Sequence, residues 1–475
     1  MLVNSIIFWA FFFVVLIPYF SILRKDSRWQ NLWILVASYF FYGYADWRML
    51  GLLVLATVVF YWIGMALSPS RTLPHREGLL VLGVVLGVGM LLYFKYLNFF
   101  VEQFAALFAL MGLKTNFSSF NILVPIGISF FTFKLIAYIV EVYKGNMKAE
   151  KNFVSFAAYV AFFPTIMSGP IDSPKMFIPQ MRKARKWNNT SVTEGMIRVL
   201  WGMFLKMCIA DKVSPYTDAV FANYGHHSGL TIAVAAVLYT FQIYTDFSGY
   251  SEMAIGTAQI MGFRVTENFI RPYFSTNVGE FWRRWHASLM NWFRDYIYFP
   301  LGGSRCSKAK MYRNTMVVFL VSGLWHGANW TFIFWGAYHG ILVCLYKLMK
   351  RVERREKRGE KIVQCSRIRK YASVLLVFVL VTIGWMVFRC DSFGQFWGML
   401  CGLSAPGHFF SSWALTAVLP ISIMIFKELK DEEGWNLHLL HSNNWVVKAA
   451  SVGLLIVFIV YVGELEGAKF IYFQF

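Results

Sequence analysis

Three groups of residues in this 475-residue chain have the types and spacing to do chemistry. The first is Ser322-Gly323-Leu324-Trp325-His326-Gly327-Ala328-Asn329-Trp330, with His326 near the middle of a long apolar run. A neutral imidazole takes up a proton near neutral pH, which suits a general base. Gly323 and Gly327 leave room beside it for a substrate or for another backbone. The competing reading is a core histidine satisfied by a neighbour. The second group runs from Glu280 to Tyr296 and holds Trp282, Arg283, Arg284, Trp285, His286, Trp292 and Arg294. As one helix it would place Trp282, Trp285, His286 and Trp292 broadly on one face. Such a segment suits a membrane interface, and its Arg residues are also able to meet the phosphates of a carrier or coenzyme. An interfacial anchor without chemistry fits the Arg and Trp residues equally well. The third group is Gln242, Tyr244, Asp246, Ser248, Tyr250 and Glu252. Carboxylates in an apolar helix need partners, so a structural ion pair with a Lys or Arg of this chain is expected there. His339, on the helix after His326, reads as a structural polar contact.

Other chemistries find no footing. His226-His227 lies in a polar loop without the Cys or carboxylate spacing of a zinc site. The six cysteines, Cys208, Cys306, Cys344, Cys365, Cys390 and Cys401, form no C-x-x-C pair, so no metal is expected. There is no G-x-S-x-G elbow, Walker loop or dinucleotide fingerprint.

These residues must be positioned by elements that live in lipid. The chain is 57% apolar and only 15% charged, with a mean hydropathy of +0.51. A soluble domain carries about 25% charge. That balance excludes a soluble enzyme, a disordered chain and a secreted disulfide scaffold. The net charge of +20 resides in short loops between apolar runs, as positive-inside topology and anionic lipid headgroups require, and does not call for nucleic acid. Residues 2–23 are nearly all apolar and are followed by Arg24, Lys25 and Arg28, which predicts an uncleaved first helix with its N-terminus outside. Further spans are expected near 30–45, 49–67, 78–97, 98–113, 152–168, 192–213, 229–260, 314–346, 371–388, 412–426 and 446–463, the longer ones able to split. The fold class is therefore all-α and polytopic, with roughly 10–12 transmembrane helices in a single domain over residues 1–475. Apolar stretches broken by Pro, Gly and polar residues, at 122–143, 162–180, 277–303 and 390–410, read as re-entrant or interfacial segments lining a central cavity. The basic runs at 182–186 and 347–370 read as solvated cytoplasmic loops. Broken helices with polar residues at membrane depth suit a transporter or flippase as well as an enzyme. Inverted repeats would favour transport, and the sequence shows none.

In order and spacing, the motifs resemble the membrane-bound O-acyltransferase (MBOAT) family, in its bacterial branch that O-acetylates polysaccharides. They include Tyr39-Phe40-Phe41-Tyr42-Gly43-Tyr44, Pro125-Ile126-Gly127-Ile128-Ser129-Phe130-Phe131-Thr132-Phe133, Phe163-Pro164 with Ser168-Gly169-Pro170-Ile171, and Asp246-Phe247-Ser248-Gly249-Tyr250-Ser251. They continue with Asn268-Phe269, Arg271-Pro272-Tyr273, Phe281-Trp282-Arg283-Arg284-Trp285-His286, Arg294-Asp295-Tyr296-Ile297-Tyr298, Pro300-Leu301-Gly302-Gly303, Gly323-Leu324-Trp325-His326-Gly327-Ala328 and the tail at 470–475. The resemblance implies that His326 is the catalytic histidine and His286 a second family histidine. It implies helices ringed around a thinned core, with a tunnel at the histidine. Asn329, Trp325, Trp285, Arg283 and Asp246 are the expected substrate-binding or positioning residues. The implied donor is acetyl-CoA or another acyl thioester, with no bound cofactor. The implied partners, beside membrane lipids, are an extracytoplasmic glycan and a periplasmic or extracellular acetyltransferase protein. The expected location is the bacterial inner membrane. A related branch transfers D-alanine from a carrier protein toward teichoic acid, and remains the alternative.

Overall fold

Apolar runs in lipid become helices because no water is present to satisfy exposed backbone groups. In a computed structural model most of these runs are helical among the described residues, which are all except 2, 69–74, 114–119, 121, 357–365, 410–413 and 465–475. Cys365, Lys357, Arg358 and the tail motif at 470–475 lie outside them. Among the described residues, six helices are long and apolar enough to cross a membrane: Trp47–Ala66, Arg76–Leu110, Gly229–Ile260, Trp330–Met349, Arg367–Arg389 and Trp445–Val462. Ile6–Phe20 is a shorter apolar helix.

Three expected spans differ. Residues 78–97 and 98–113 form one 35-residue helix, interrupted only by a π-helical turn at Leu92–Tyr96. No Pro divides that stretch, so an inserted residue is absorbed as a π-bulge rather than a loop. The expected span at 152–168 is a nine-residue helix, Phe153–Ala161, since Pro164 follows too closely for the helix to continue. The run at 314–346 splits in two, as expected of so long a run: one helix, Lys308–His326, ends on the histidine, and Trp330–Glu356 begins after it.

The chain divides into two compact units, Met1–Val199 with Met253–Thr266, and Leu200–Glu252 with Glu267–Phe475. In the first unit Arg185 is buried, although it belongs to the basic run expected to be solvated. Its guanidinium donates to Tyr19 Oη and to Asn31 Oδ1, each at 2.8 Å, and lies 5.0 Å from the centre of the Phe263 ring. Hydrogen bonds and an aromatic face replace the water it gives up.

In the second unit the Lys308–His326 and Trp330–Glu356 helices form an antiparallel hairpin. Glycine decides how closely they approach. A Cβ on Gly323 would fall 2.2 Å from the Phe332 carbonyl oxygen, and one on Gly336 would fall 2.3 Å from that of Phe319. Gly323 therefore makes room for another backbone, not for a substrate. Such small-residue contacts let helices pack where lipid removes the hydrophobic drive. Gly336→Ala is expected to cost roughly 1–3 kcal/mol through overpacking. Gly453→Ala, on Trp445–Val462 with nothing within 4 Å, serves as the control. Thermal unfolding in detergent reads both, and equal melting temperatures would refute the close-packing account.

Candidate active site

His326 is the last residue of its helix, followed by Gly327 in an extended conformation. It is 4% exposed. Its ring meets Trp325, Trp335 and Phe388 edge-to-face, at centroid distances of 4.9, 5.0 and 5.3 Å.

His286 comes from a different element. The segment expected as one helix is broken: Val278–Arg284 and Ala287–Phe293 are separate, with Trp285 extended between them. His286 itself is left-handed, with φ 43° and ψ 51°. Only Arg271 shares a positive φ among the described non-glycine residues. The break is imposed from outside the segment. The Ile270 N–H donates to the Arg284 carbonyl at 2.9 Å and the Ala287 N–H to the Asn268 carbonyl at 2.8 Å. Side chains reinforce this clamp. Arg284 donates to Glu280 Oε1 at 2.6 Å and to Glu432 Oε2 at 2.9 Å, and Arg271 donates to the same Glu432 oxygen at 2.9 Å. Burial pushes the Glu280 carboxyl up, but hydrogen bonds from Thr276 and the Arg284 charge hold it below the usual carboxylate range.

The result is a 1%-exposed imidazole, packed at 4.6 Å against Phe247 and at 6.0 Å against Trp325. Both histidines thus contact the Trp325 indole, although forty residues separate them in sequence. Strained backbone of this kind concentrates at functional sites. Burial lowers the His286 pKa well below its ordinary value, which keeps the ring neutral.

The other expected site residues are distributed unevenly. Trp285 is in the core, 4.7 Å from Trp385, and Trp282 and Trp292 are buried too, so this stretch is no interfacial anchor. Arg283 is exposed, and it is Arg284 that holds the ion network. The Asn329 amide is engaged in the hairpin turn: Nδ2 donates to the Asp391 carbonyl at 3.1 Å and Oδ1 accepts from the Thr331 N–H at 3.1 Å. Asp246 has the cationic partner its burial demands. Lys206 Nζ lies 2.6 Å from Asp246 Oδ1 and 2.7 Å from Asp211 Oδ1, and all three are buried. The rest of that cluster disperses, Gln242 to Thr217 at 2.6 Å and Tyr244 to Glu428. His339 is fully buried among Trp282, Trp335 and Tyr338, with no hydrogen-bond partner for either nitrogen among the described residues. It makes aromatic contacts in place of the expected polar one. Sequence reasoning passed over Lys206, though a lysine inside Phe204-Leu205-Lys206-Met207-Cys208 is itself a signal. No group of three or more His, Cys, Asp or Glu side chains gathers to hold a metal among the described residues.

Lys370 donates to Glu433 at 2.5 Å, so the end of Val418–Glu433 lies beside the start of Arg367–Arg389. Phe388, against His326, is about 27 Å further along that helix at 1.5 Å per residue.

Comparison with known proteins adds the following. The model of the family described as MBOAT, membrane-bound O-acyltransferase, matches residues 149–360. The chain is 39% identical over 396 residues to "Probable alginate O-acetylase AlgI" of Azotobacter vinelandii, covering 82% of this chain and 75% of that protein. Identity to the protein of the same name from Pseudomonas aeruginosa is also 39% over 396 residues, 82% of this chain and 72% of that one. A "Peptidoglycan O-acetyltransferase" of Helicobacter pylori is 30% identical over 421 residues, 82% of this chain and 77% of that protein.

Proposed function

The chain belongs to the membrane-bound O-acyltransferase family and is a multi-pass membrane O-acyltransferase, and from that premise we propose that it carries an acetyl group from a cytoplasmic thioester to a hydroxyl outside the membrane. The donor is acetyl-CoA or another acyl thioester. The acceptor is an extracytoplasmic polysaccharide, reached directly or through a partner acetyltransferase protein, and the setting is a bacterial inner membrane. The relatives' names support a sugar acceptor, since alginate and peptidoglycan both present hydroxyls on glycans.

In this reading His326 removes the proton from the attacking hydroxyl, whose oxygen adds to the thioester carbonyl. The tetrahedral oxyanion then collapses, the C–S bond breaks, and the departing sulfur takes the proton back from the imidazolium. Oxyanion donors come from backbone N–H groups of the turn after His326, because the Asn329 amide is already engaged. Burial of the site keeps water from the thioester. The observation that carries the proposal is the convergence of His286 and His326, from separate elements, on Trp325 inside a closed aromatic core.

The test uses membranes with and without the chain, radiolabelled acetyl-CoA or acetylated carrier protein, and an acceptor glycan with its periplasmic fraction. Chain-dependent label, released by mild alkali as an O-ester, is expected. Chain-dependent label on none of the acceptors with either donor would sink the proposal.

A further inference from the structure

The two histidines differ in what surrounds them. His286 is held through one ring nitrogen, Nδ1, which lies 2.9 Å from Asn268 Oδ1. Asn268 is fully buried, and its side-chain amide and backbone carbonyl find their partners locally. Its Oδ1 also accepts from Ser288 Oγ at 2.9 Å, its Nδ2 donates to Ser251 Oγ at 3.0 Å, and its backbone carbonyl accepts from the Ala287 N–H at 2.8 Å. The same residue thus holds the backbone on one side of His286 and the imidazole itself. Phe247 fixes the remaining freedom of the ring, standing at 84° to it.

An amide oxygen only accepts hydrogen bonds, so Nδ1 must carry the hydrogen. A neutral imidazole has a single N–H, which leaves a lone pair on Nε2. Nε2 is buried and has no partner among the described residues. We infer that Asn268 is a positioning residue that sets the tautomer of His286, making Nε2 an acceptor for a substrate N–H or O–H other than the hydroxyl His326 deprotonates. The inference rests on the acyltransferase reading and sharpens it. His286 does not donate to the oxyanion, since that would need the hydrogen on Nε2. It receives a hydrogen bond from an amide of the donor's arm or from a neighbouring sugar hydroxyl. With the amide turned over, Nδ2 would face the ring and the hydrogen would move to Nε2, so the position of that hydrogen is what the experiment reads.

Nitrogen NMR of the ¹⁵N-histidine-labelled chain in lipid nanodiscs reads it directly, the His286 signals being identified by their loss in His286→Gln. The expected pair is a protonated Nδ1 and an unprotonated Nε2; a protonated Nε2 overturns the inference. Kinetics give the second arm. Asn268→Leu should lower kcat roughly 10- to 100-fold, as loss of an orienting partner does elsewhere. Asn268→Asp keeps an acceptor oxygen and should recover to within a few fold. In a His286→Ala background Asn268→Leu should add nothing, because Asn268 acts through the imidazole. A further independent loss in that background overturns the inference. If the wild type shows no transfer with any donor, the acyltransferase reading falls, while the nitrogen spectrum still decides the role of Asn268.

Discussion

His326→Ala is expected to lower kcat for acetyl transfer by about 10²–10⁴-fold, the range attributed to general-base help. The donor KM should move little, because the base acts on the hydroxyl and not on the thioester. The substitution also empties space beside Trp335 and Phe388, so part of any loss could be structural. His326→Gln controls for that, since it keeps a polar side chain of similar length but cannot take up a proton. Both variants should insert into the membrane and melt within a few degrees of the wild type, yet both should show this loss of turnover. Labelled-acetate transfer, scored beside thermal unfolding, measures the two effects separately. Turnover within threefold of wild type in the Gln variant would remove His326 from the role of base.

Lys206→Met should give the largest loss of stability. The ammonium lies 2.6 Å from Asp246 and 2.7 Å from Asp211, and all three residues are buried. Removing it leaves two carboxylates buried side by side, and breaking a buried pair in this way costs about 3–5 kcal/mol. The yield of folded protein in detergent should fall sharply. Replacing the partners as well, in Lys206→Met/Asp211→Asn/Asp246→Asn, leaves no buried charge and should restore most of the melting temperature. The triple variant also separates the two roles open to Asp246. Recovered stability with recovered activity assigns the trio to structure alone; recovered stability without activity gives Asp246 a part in positioning substrate. A single Lys206→Met variant that melts like the wild type would refute the ion-pair account.

Much of this protein was determined by its sequence. Composition alone placed it in a bilayer, because 15% charge cannot clothe a water-facing exterior. His326 stood out because an imidazole in an apolar run has to be satisfied or used. The order of short motifs pointed to a family of acyltransferases before any geometry was known, and Asp246 announced that it needed a cation.

What the sequence left open is what depends on distant partners. The break before His286 has no local cause: neither Pro nor Gly lies between Phe281 and Arg294, and a helical wheel therefore drew one continuous face. The pairing of Asn268 and Ile270 with residues 284–287 creates the break, and contacts across such a gap carry no periodic signature. The cation for Asp246 proved to be Lys206, forty residues away, since charge patterning says that a partner is needed but not which one it is. Gly323 was equally suited to a substrate or to a helix, and only the Phe332 carbonyl decided for the helix. Arg185 looked like one more loop charge until Tyr19, Asn31 and Phe263 enclosed it. In each case the residue type stated a requirement, and tertiary packing selected the group that meets it, because burial makes an unmet requirement too costly to persist.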